Sequence, residues 1–345
     1  LRIFSMLFIV IYHFCIHAID TNSPYYPQVV KGIEVILHIA VVCFVLISGY
    51  WGIKPSLKGL IKFYLQCLIY SVGIYLIYCV FNTDTFSKKT LVESFFAFTH
   101  TPGLWFVTTY ICLYIISPII NIPLKIQSPG KKLVWIALLG ILSFYFGLVH
   151  GNGSLIDGKN VINFIFIYYI GNFIHYHIDH NKIKQHRTKI ILIYSLLNIF
   201  IFISIIATSN YLIIQEIIIK FFFPYNSIGL IINAILFFLI FVSFEFKSKL
   251  INWMGSSTFA IYLIHENGYT GQYLYKFIAY LHSNINNLFI LGLSLVLFGI
   301  FVCIVCILID KILKPILKIV ESILFKSVKL QVLDKNIYKY LNSNM

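Results

Sequence analysis

The sequence predicts an all-α integral membrane protein, a bundle of about ten transmembrane helices. Hydrophobic residues make up 59% of the 345 residues and charged residues only 11%, whereas soluble domains carry roughly 25% charged residues. The mean hydropathy is +0.88. Long apolar runs separated by short polar breaks fill the chain, and a helix needs about 20 residues to cross the hydrocarbon core. Lipid rather than water is therefore the expected solvent.

The apolar runs define the predicted helices in chain order. They cover 3–19, 33–53, 60–81, 104–121, 132–149, 161–177, 188–207, 226–246, 258–278 and 288–309. The shorter run 211–223 carries two charges and is interpreted as an interfacial helix or a re-entrant piece. We assign residues 1–320 to the transmembrane domain and 321–345 to a cytoplasmic C-terminal tail.

The distribution of charge predicts the orientation. The net charge is +14, but the lysines are dispersed among the breaks between apolar runs, which argues against a nucleic-acid partner. If the N-terminus is cytoplasmic, most of the 26 lysines and arginines fall on the cytoplasmic side, as the positive-inside rule requires. This alternation predicts an N-in, C-in, multi-pass protein. Lysines 311, 314 and 318 would then contact anionic lipids of the inner leaflet.

The first helix carries the most informative polar pair, Arg2 and His13. Their separation corresponds to about 1100° of helical rotation, so the two side chains point in directions roughly 20° apart around the helix and share one face. They are about 16 Å apart along the axis. His17 is one turn further on the same face. An ionisable residue in a membrane helix indicates function by default. Arg2 as a simple anchor and His13 as a helix contact remain an equal alternative at this point.

The second helix carries Glu34 and His38 one turn apart, an acid and a base that can pair. Ser48 and Gly49 lie at its other end, where a glycine lets helices approach closely. In the fourth helix Trp105 is typical of an aromatic belt, and Ser117-Pro118 is expected to end the helix.

The ninth run contains His265 and Glu266 within an apolar stretch. A lone histidine is more often a satisfied core residue, but the adjacent acid favours function. Four further histidines, His175, His177, His180 and His186, lie at the end of the sixth run or just after it, next to a basic segment. A solvated loop is favoured there over metal binding, so no metal site is predicted.

Four segments together resemble the membrane-bound acyltransferase 3 family, which includes O-acetyltransferases of bacterial surface polysaccharides. They read LRIFSMLFIVIYHF, HIAVVCFVLISGYW, LWFVTTYICLYIISPII and STFAIYLIH, in the family's order. The first has an arginine, ten residues and a histidine. The second has Ser-Gly-Tyr just before its last residue. The resemblance extends over nearly the whole chain.

The resemblance implies acyl transfer, with acetyl the expected group, from a cytoplasmic acyl-CoA to a hydroxyl of a cell-surface polysaccharide or its lipid-linked precursor. His13 would be the base, because a neutral imidazole suits proton transfer near pH 7, and Arg2 would hold the donor. Acetyl-CoA would be a substrate, with no permanently bound cofactor. The protein would lie in the bacterial plasma membrane.

The resemblance also implies a polar path across the helices, with the remaining candidates along it. The expected path or substrate-binding residues are Glu34, His38, Ser48, Trp105, Tyr110, His265 and Glu266, with no chemical step assigned to the last two. Lys54, Lys58 and Lys62 stand in the loop where many members carry an arginine pair, and are the candidates for coenzyme A binding.

Two other functions remain as alternatives. A transporter that exports the polysaccharide would also carry polar residues in its helices, but the prolines are expected in loops or at helix ends, which disfavours it. A structural subunit of a synthase complex would leave His13 dispensable.

Overall fold

The computed structural model describes residues 1–20, 29–96, 104–145 and 157–326. Within them the regular structure is helical, with no strand. The α-helices are α1 (Arg2–Ala18), α2 (Val29–Leu37), α3 (Ile39–Trp51), α4 (Leu57–Phe81), α5 (Lys88–Phe95), α6 (Trp105–Ile126), α7 (Pro129–Phe144), α8 (Val161–His177), α9 (His180–Gln185), α10 (Arg187–Ala207), α11 (Leu212–Phe222), α12 (Ile228–Val242), α13 (Lys249–Gly255), α14 (Thr258–His265), α15 (Gly268–Asn284) and α16 (Leu288–Leu324).

Five helical stretches are long and apolar enough to cross a membrane. They are Val29–Trp51, Leu57–Phe81, Trp105–Ile126, Arg187–Ala207 and Leu288–Leu324. The number of crossings and the N-in, C-in orientation stay predictions, and the shorter helices α1 and α12 are also apolar. The described part of the chain is therefore helical, with helices of the length and composition that membrane spans have.

The fourth predicted helix does not end at Ser117-Pro118, so that prediction is wrong. Helix α6 continues through Pro118 and Pro123 to Ile126. A proline has no N–H for the carbonyl four residues earlier, but the Ser117 hydroxyl donates to the carbonyl of Tyr114 at 2.7 Å. A side-chain donor thus satisfies a backbone acceptor where water is scarce.

The expectation that prolines avoid helix interiors is also wrong for α16, which contains Pro315. This helix has 37 residues, about 55 Å, which exceeds a hydrocarbon core of about 30 Å. The boundary assigned at residue 320 falls inside it. Residues 327–345 of the predicted tail lie outside the described residues.

The predicted single helix over 258–278 is two helices. Helix α14 ends at His265 and α15 begins at Gly268, with the Asn267 side chain accepting from the N–H of Tyr269 at 3.0 Å. An asparagine at this position satisfies an N–H that the first turn leaves unpaired. The interruption places Glu266 at a corner between the helices rather than on a helix face.

Helix α3 lies in the core and packs closely against α8. A Cβ atom on Gly49 would collide with the backbone of Tyr168, and one on Gly171 would collide with the backbone of Leu46. Small residues allow two backbones to meet in this way. The glycine of the Ser-Gly-Tyr segment therefore has a packing role. Its contact with α8 also positions α3, which forms one wall of the cavity described next.

Candidate active site

A cavity of about 320 Å³ lies between α1, α3, α4, α6 and α14. Six of the predicted site residues line it: Arg2, His13, His38, Ser48, Trp105 and Tyr110. Arg2 is exposed at the N-terminus of α1 and His13 is about 16 Å further along the helix. The cavity therefore has a cation at one end and an imidazole further in, on one face of α1.

The imidazole of His13 is held by the corner between α14 and α15. Its Nδ1 lies 2.7 Å from Oε2 of Glu266 and 2.9 Å from Nε2 of His265. The Nδ1 of His265 lies 2.6 Å from the carbonyl oxygen of Ile261, and a carbonyl can only accept. His265 therefore carries its proton on Nδ1 and accepts at Nε2, so Nδ1 of His13 is the donor.

This assignment fixes the chemistry of the other ring nitrogen of His13. In the neutral imidazole, a proton on Nδ1 leaves a lone pair on Nε2, and Nε2 makes no hydrogen bond with any described residue. The carboxylate stabilises the imidazolium that forms when Nε2 takes a proton. The pair of His13 and Glu266, termed here the His–Glu dyad, has the geometry of a general base with an orienting acid.

Two further side chains contact Glu266. The Tyr275 hydroxyl donates to Oε2 at 3.0 Å, and Nε2 of His17 lies 3.7 Å from Oε1. The carboxylate is 9% exposed. A buried charge needs such partners, because leaving it unpaired costs several kcal/mol. Glu266 is thus anchored on both oxygens, which limits its freedom to move away from His13.

The same cluster offers ligand atoms for a metal ion. One atom each from His13, His265 and Glu266 lies within 4.8 Å of the others, and two imidazoles with a carboxylate are a ligand set found in catalytic zinc sites. However, the donor atoms are already at hydrogen-bond distance from one another, 2.7 and 2.9 Å. These hydrogen bonds require a proton on Nδ1 of His13, and an ion bound to the same nitrogen would exclude that proton.

The structure does not pair Glu34 with His38. Glu34 is buried and bound to Lys31, with Nζ 3.1 Å from Oε2. His38 lies at the interruption between α2 and α3, with its ring 4.1 Å from that of Tyr225 and 4.3 Å from that of Phe223. Its Nδ1 is buried without a hydrogen-bond partner among the described residues. Glu34 does not line the cavity, whereas His38 does.

Ser48, Tyr110 and Trp105 form other parts of the cavity wall. The Ser48 hydroxyl lies 3.1 Å from that of Tyr110 and donates to the carbonyl of Phe44 at 3.0 Å. Trp105 packs near Tyr225, with ring centroids 5.2 Å apart. These residues give the cavity a mixed aromatic and hydroxyl surface.

The predicted donor-binding lysines do not join this site. Lys54, Lys58 and Lys62 are exposed and none lines the cavity. Lys58 and Lys62 instead lie 3.4 and 3.8 Å from the carboxylate of Glu321 near the end of α16. Among the described residues that line the cavity, Arg2 is the one lysine or arginine.

Sequence reasoning did not identify Tyr275 or Gln66, which lie in the site but in no recognised segment. Gln66 lines the cavity from α4, and a lone glutamine in an apolar run is a signal for such a position. Tyr275 has no comparable signal, because its approach to Glu266 depends on the corner before α15. The sequence indicated His13 and Glu266 separately, in the first helix and in the ninth run, but not their contact.

Comparison with known proteins assigns the chain to a family. The family model of acyltransferase 3, described as an acyltransferase domain, matches residues 1–309. No curated protein and no solved structure matches the chain. The match includes both halves of the His–Glu dyad and gives no support to a transporter. The chain belongs to the acyltransferase 3 family and is a membrane-bound, acyl-transferring enzyme.

Proposed function

We propose that this enzyme transfers an acetyl group from cytoplasmic acetyl-CoA to a hydroxyl of a bacterial cell-surface polysaccharide or of its lipid-linked precursor. The observation that carries the proposal is the hydrogen bond from Nδ1 of His13 to Glu266, in a cavity that Arg2 also lines. The proposed location is the plasma membrane, with both ends of the membrane domain on the cytoplasmic side.

The proposed reaction proceeds by direct transfer. Nε2 of His13 takes the proton of the acceptor hydroxyl while its oxygen forms a bond to the thioester carbonyl carbon. The tetrahedral intermediate then collapses, the carbon–sulfur bond breaks, and the coenzyme A thiolate recovers the proton from Nε2. Glu266 stays ionised throughout and stabilises the imidazolium. The products are an ester and free coenzyme A.

The distance between Arg2 and His13 supports the donor assignment. In acetyl-CoA a long flexible arm separates the thioester from the phosphates. A cavity with a guanidinium at one end and a base about 16 Å away along α1 suits a donor of that shape. Guanidinium groups bind phosphates with paired hydrogen bonds. Arg2 would therefore hold phosphate while the thioester reaches His13.

The decisive experiment measures ester-linked acetyl on the polysaccharide in cells that express the protein together with its own glycan. His13→Ala should abolish acetylation and leave glycan export unchanged. His186→Ala is the matched control, because His186 is exposed in the segment between α9 and α10, and it should retain acetylation. Normal acetylation by the His13 variant would refute the proposal. Lost export with intact acetylation would instead favour a transporter.

A further inference from the structure

A second cavity, of about 480 Å³, lies between α4, α14, α15 and α16. We call it the tail groove. Its wall includes Gly73, Ile77, Ile264, Thr270, Tyr273 and Ile309. A Cβ atom added to Gly73 would meet nothing within 4 Å, so the absent side chain of this glycine contributes to the open volume.

The wall of the tail groove is almost entirely apolar, and two of its hydroxyls are already paired within the protein. The Tyr70 hydroxyl donates to Oδ1 of Asp310 at 2.9 Å. The Thr270 hydroxyl donates to the carbonyl of Ile264. A sugar or a phosphate would gain few hydrogen bonds here and would lose those it makes with water. The chemistry of the wall therefore selects a hydrocarbon ligand.

The groove is continuous with the lipid-facing surface. Ile77, Phe81 and Tyr273 on its rim are 62%, 81% and 54% exposed. Its α4 wall runs from Ile69 to Phe81, about 18 Å at 1.5 Å per residue. Half of a hydrocarbon core is about 15 Å. An aliphatic chain that enters sideways from the bilayer can therefore lie along α4 through one leaflet.

The groove and the catalytic cavity share the corner between α14 and α15. Ile264 faces the groove, while the next residue, His265, contacts His13. A chain in the groove would keep its head group close to the membrane level of the His–Glu dyad. We infer that the tail groove binds the aliphatic tail of the lipid-linked saccharide that accepts the acyl group. This inference rests on the proposed function.

Photo-crosslinking in vesicles of phosphatidylethanolamine and phosphatidylglycerol tests the inference. The probe is a polyprenyl phosphate with a diazirine on its chain, compared with a diacyl phospholipid that carries the same group. We expect the polyprenyl probe to label peptides 69–82 and 264–273 about tenfold more than the phospholipid probe, the ratio given by a preference of 1.4 kcal/mol. Equal labelling by both probes would indicate ordinary membrane lipid and overturn the inference.

Two glycine variants sharpen the test. Gly73→Phe should fill the groove and remove the labelling. Gly292→Phe is the matched control, since Gly292 lies on α16 and also has open space around it, and labelling should persist. Persistent labelling in Gly73→Phe would overturn the inference. Labelling measures binding and does not require catalysis. If the polyprenyl probe labels the groove but the protein transfers no acetyl group, the proposed function is refuted while lipid binding by the groove stands.

Discussion

Oε2 of Glu266 lies 2.7 Å from Nδ1 of His13, although the two residues are far apart in the sequence, one on α1 and the other just after α14. The Nδ1 proton is directed to the carboxylate, which leaves the lone pair of Nε2 available to act as a base. The consequences of this relationship can be measured.

Glu266→Gln should reduce kcat by about 10⁴-fold, the loss seen when the orienting carboxylate of a catalytic triad becomes an amide. The glutamine keeps the size of the side chain but removes the charge that stabilises the imidazolium. Acetyl transfer to glycan in membranes is the measurement. Glu216→Gln is the control, because Glu216 is an exposed carboxylate on α11, and its kcat should be unchanged. A kcat of the Glu266 variant within twofold of the wild-type value would exclude a catalytic role for the His–Glu dyad.

Arg2→Ala should raise KM for acetyl-CoA by about tenfold to a hundredfold, since hydrogen bonds to charged groups contribute about 1.5–3 kcal/mol. The kcat at saturating donor should change little, because Arg2 is far from the reacting atoms. Arg187→Ala is the matched control, since the guanidinium of Arg187 stacks 4.8 Å from the ring of Phe244. If Arg2→Ala lowers kcat and leaves KM unchanged, Arg2 acts in the chemical step instead.

Zn²⁺ should inhibit the enzyme, whereas a chelator should leave acetyl transfer intact. An ion bound by His13, His265 and Glu266 would displace the Nδ1 proton of His13. A neutral ring has a single ring proton, which would then move to Nε2 and block its use as a base. Rates measured with EDTA, and after graded addition of zinc, provide the check. Loss of activity in EDTA with recovery on zinc would identify a metal enzyme.

Gly49→Ala should destabilise the fold by about 1–3 kcal/mol, as expected when a tightly packed contact is overfilled. The new methyl group would meet the backbone of Tyr168, which cannot move without displacing α8. Thermal unfolding in detergent measures the effect as a lower Tm. Gly292→Ala, at a helical position with open space, serves as the control. An unchanged Tm for Gly49→Ala would show that α3 and α8 leave room for a methyl group at this contact, contrary to the structure.

The sequence predicted the helical membrane protein because apolar runs of sufficient length have few alternatives in lipid. It did not predict the interruption at Glu266, although Asn267-Gly268 is a common turn dipeptide. The apolar residues of 258–278 on either side of this dipeptide favoured one continuous helix. The continuation of α6 through Pro118 was also missed, since it depends on the orientation of one serine hydroxyl.

The candidate site was predictable only in part. Arg2 and His13 were found because a single helix relates them by a fixed geometry. The pairing of His13 with Glu266 was not predicted, since a contact between residues so far apart in the sequence depends on how the helices pack. The same limit explains Lys58 and Lys62, whose approach to Glu321 requires the extension of α16 beyond the membrane.

The origin of the His–Glu dyad also bears on biosynthesis. The ribosome makes α1 long before the corner at Glu266, so the imidazole of His13 enters the bilayer without the carboxylate that directs its proton. That carboxylate arrives only after the intervening helices have been synthesised and inserted. Catalytic competence is therefore acquired late, when the corner at Glu266 closes against the first helix. A nascent chain that stalls earlier would lack the carboxylate that orients His13 and so could not transfer an acyl group.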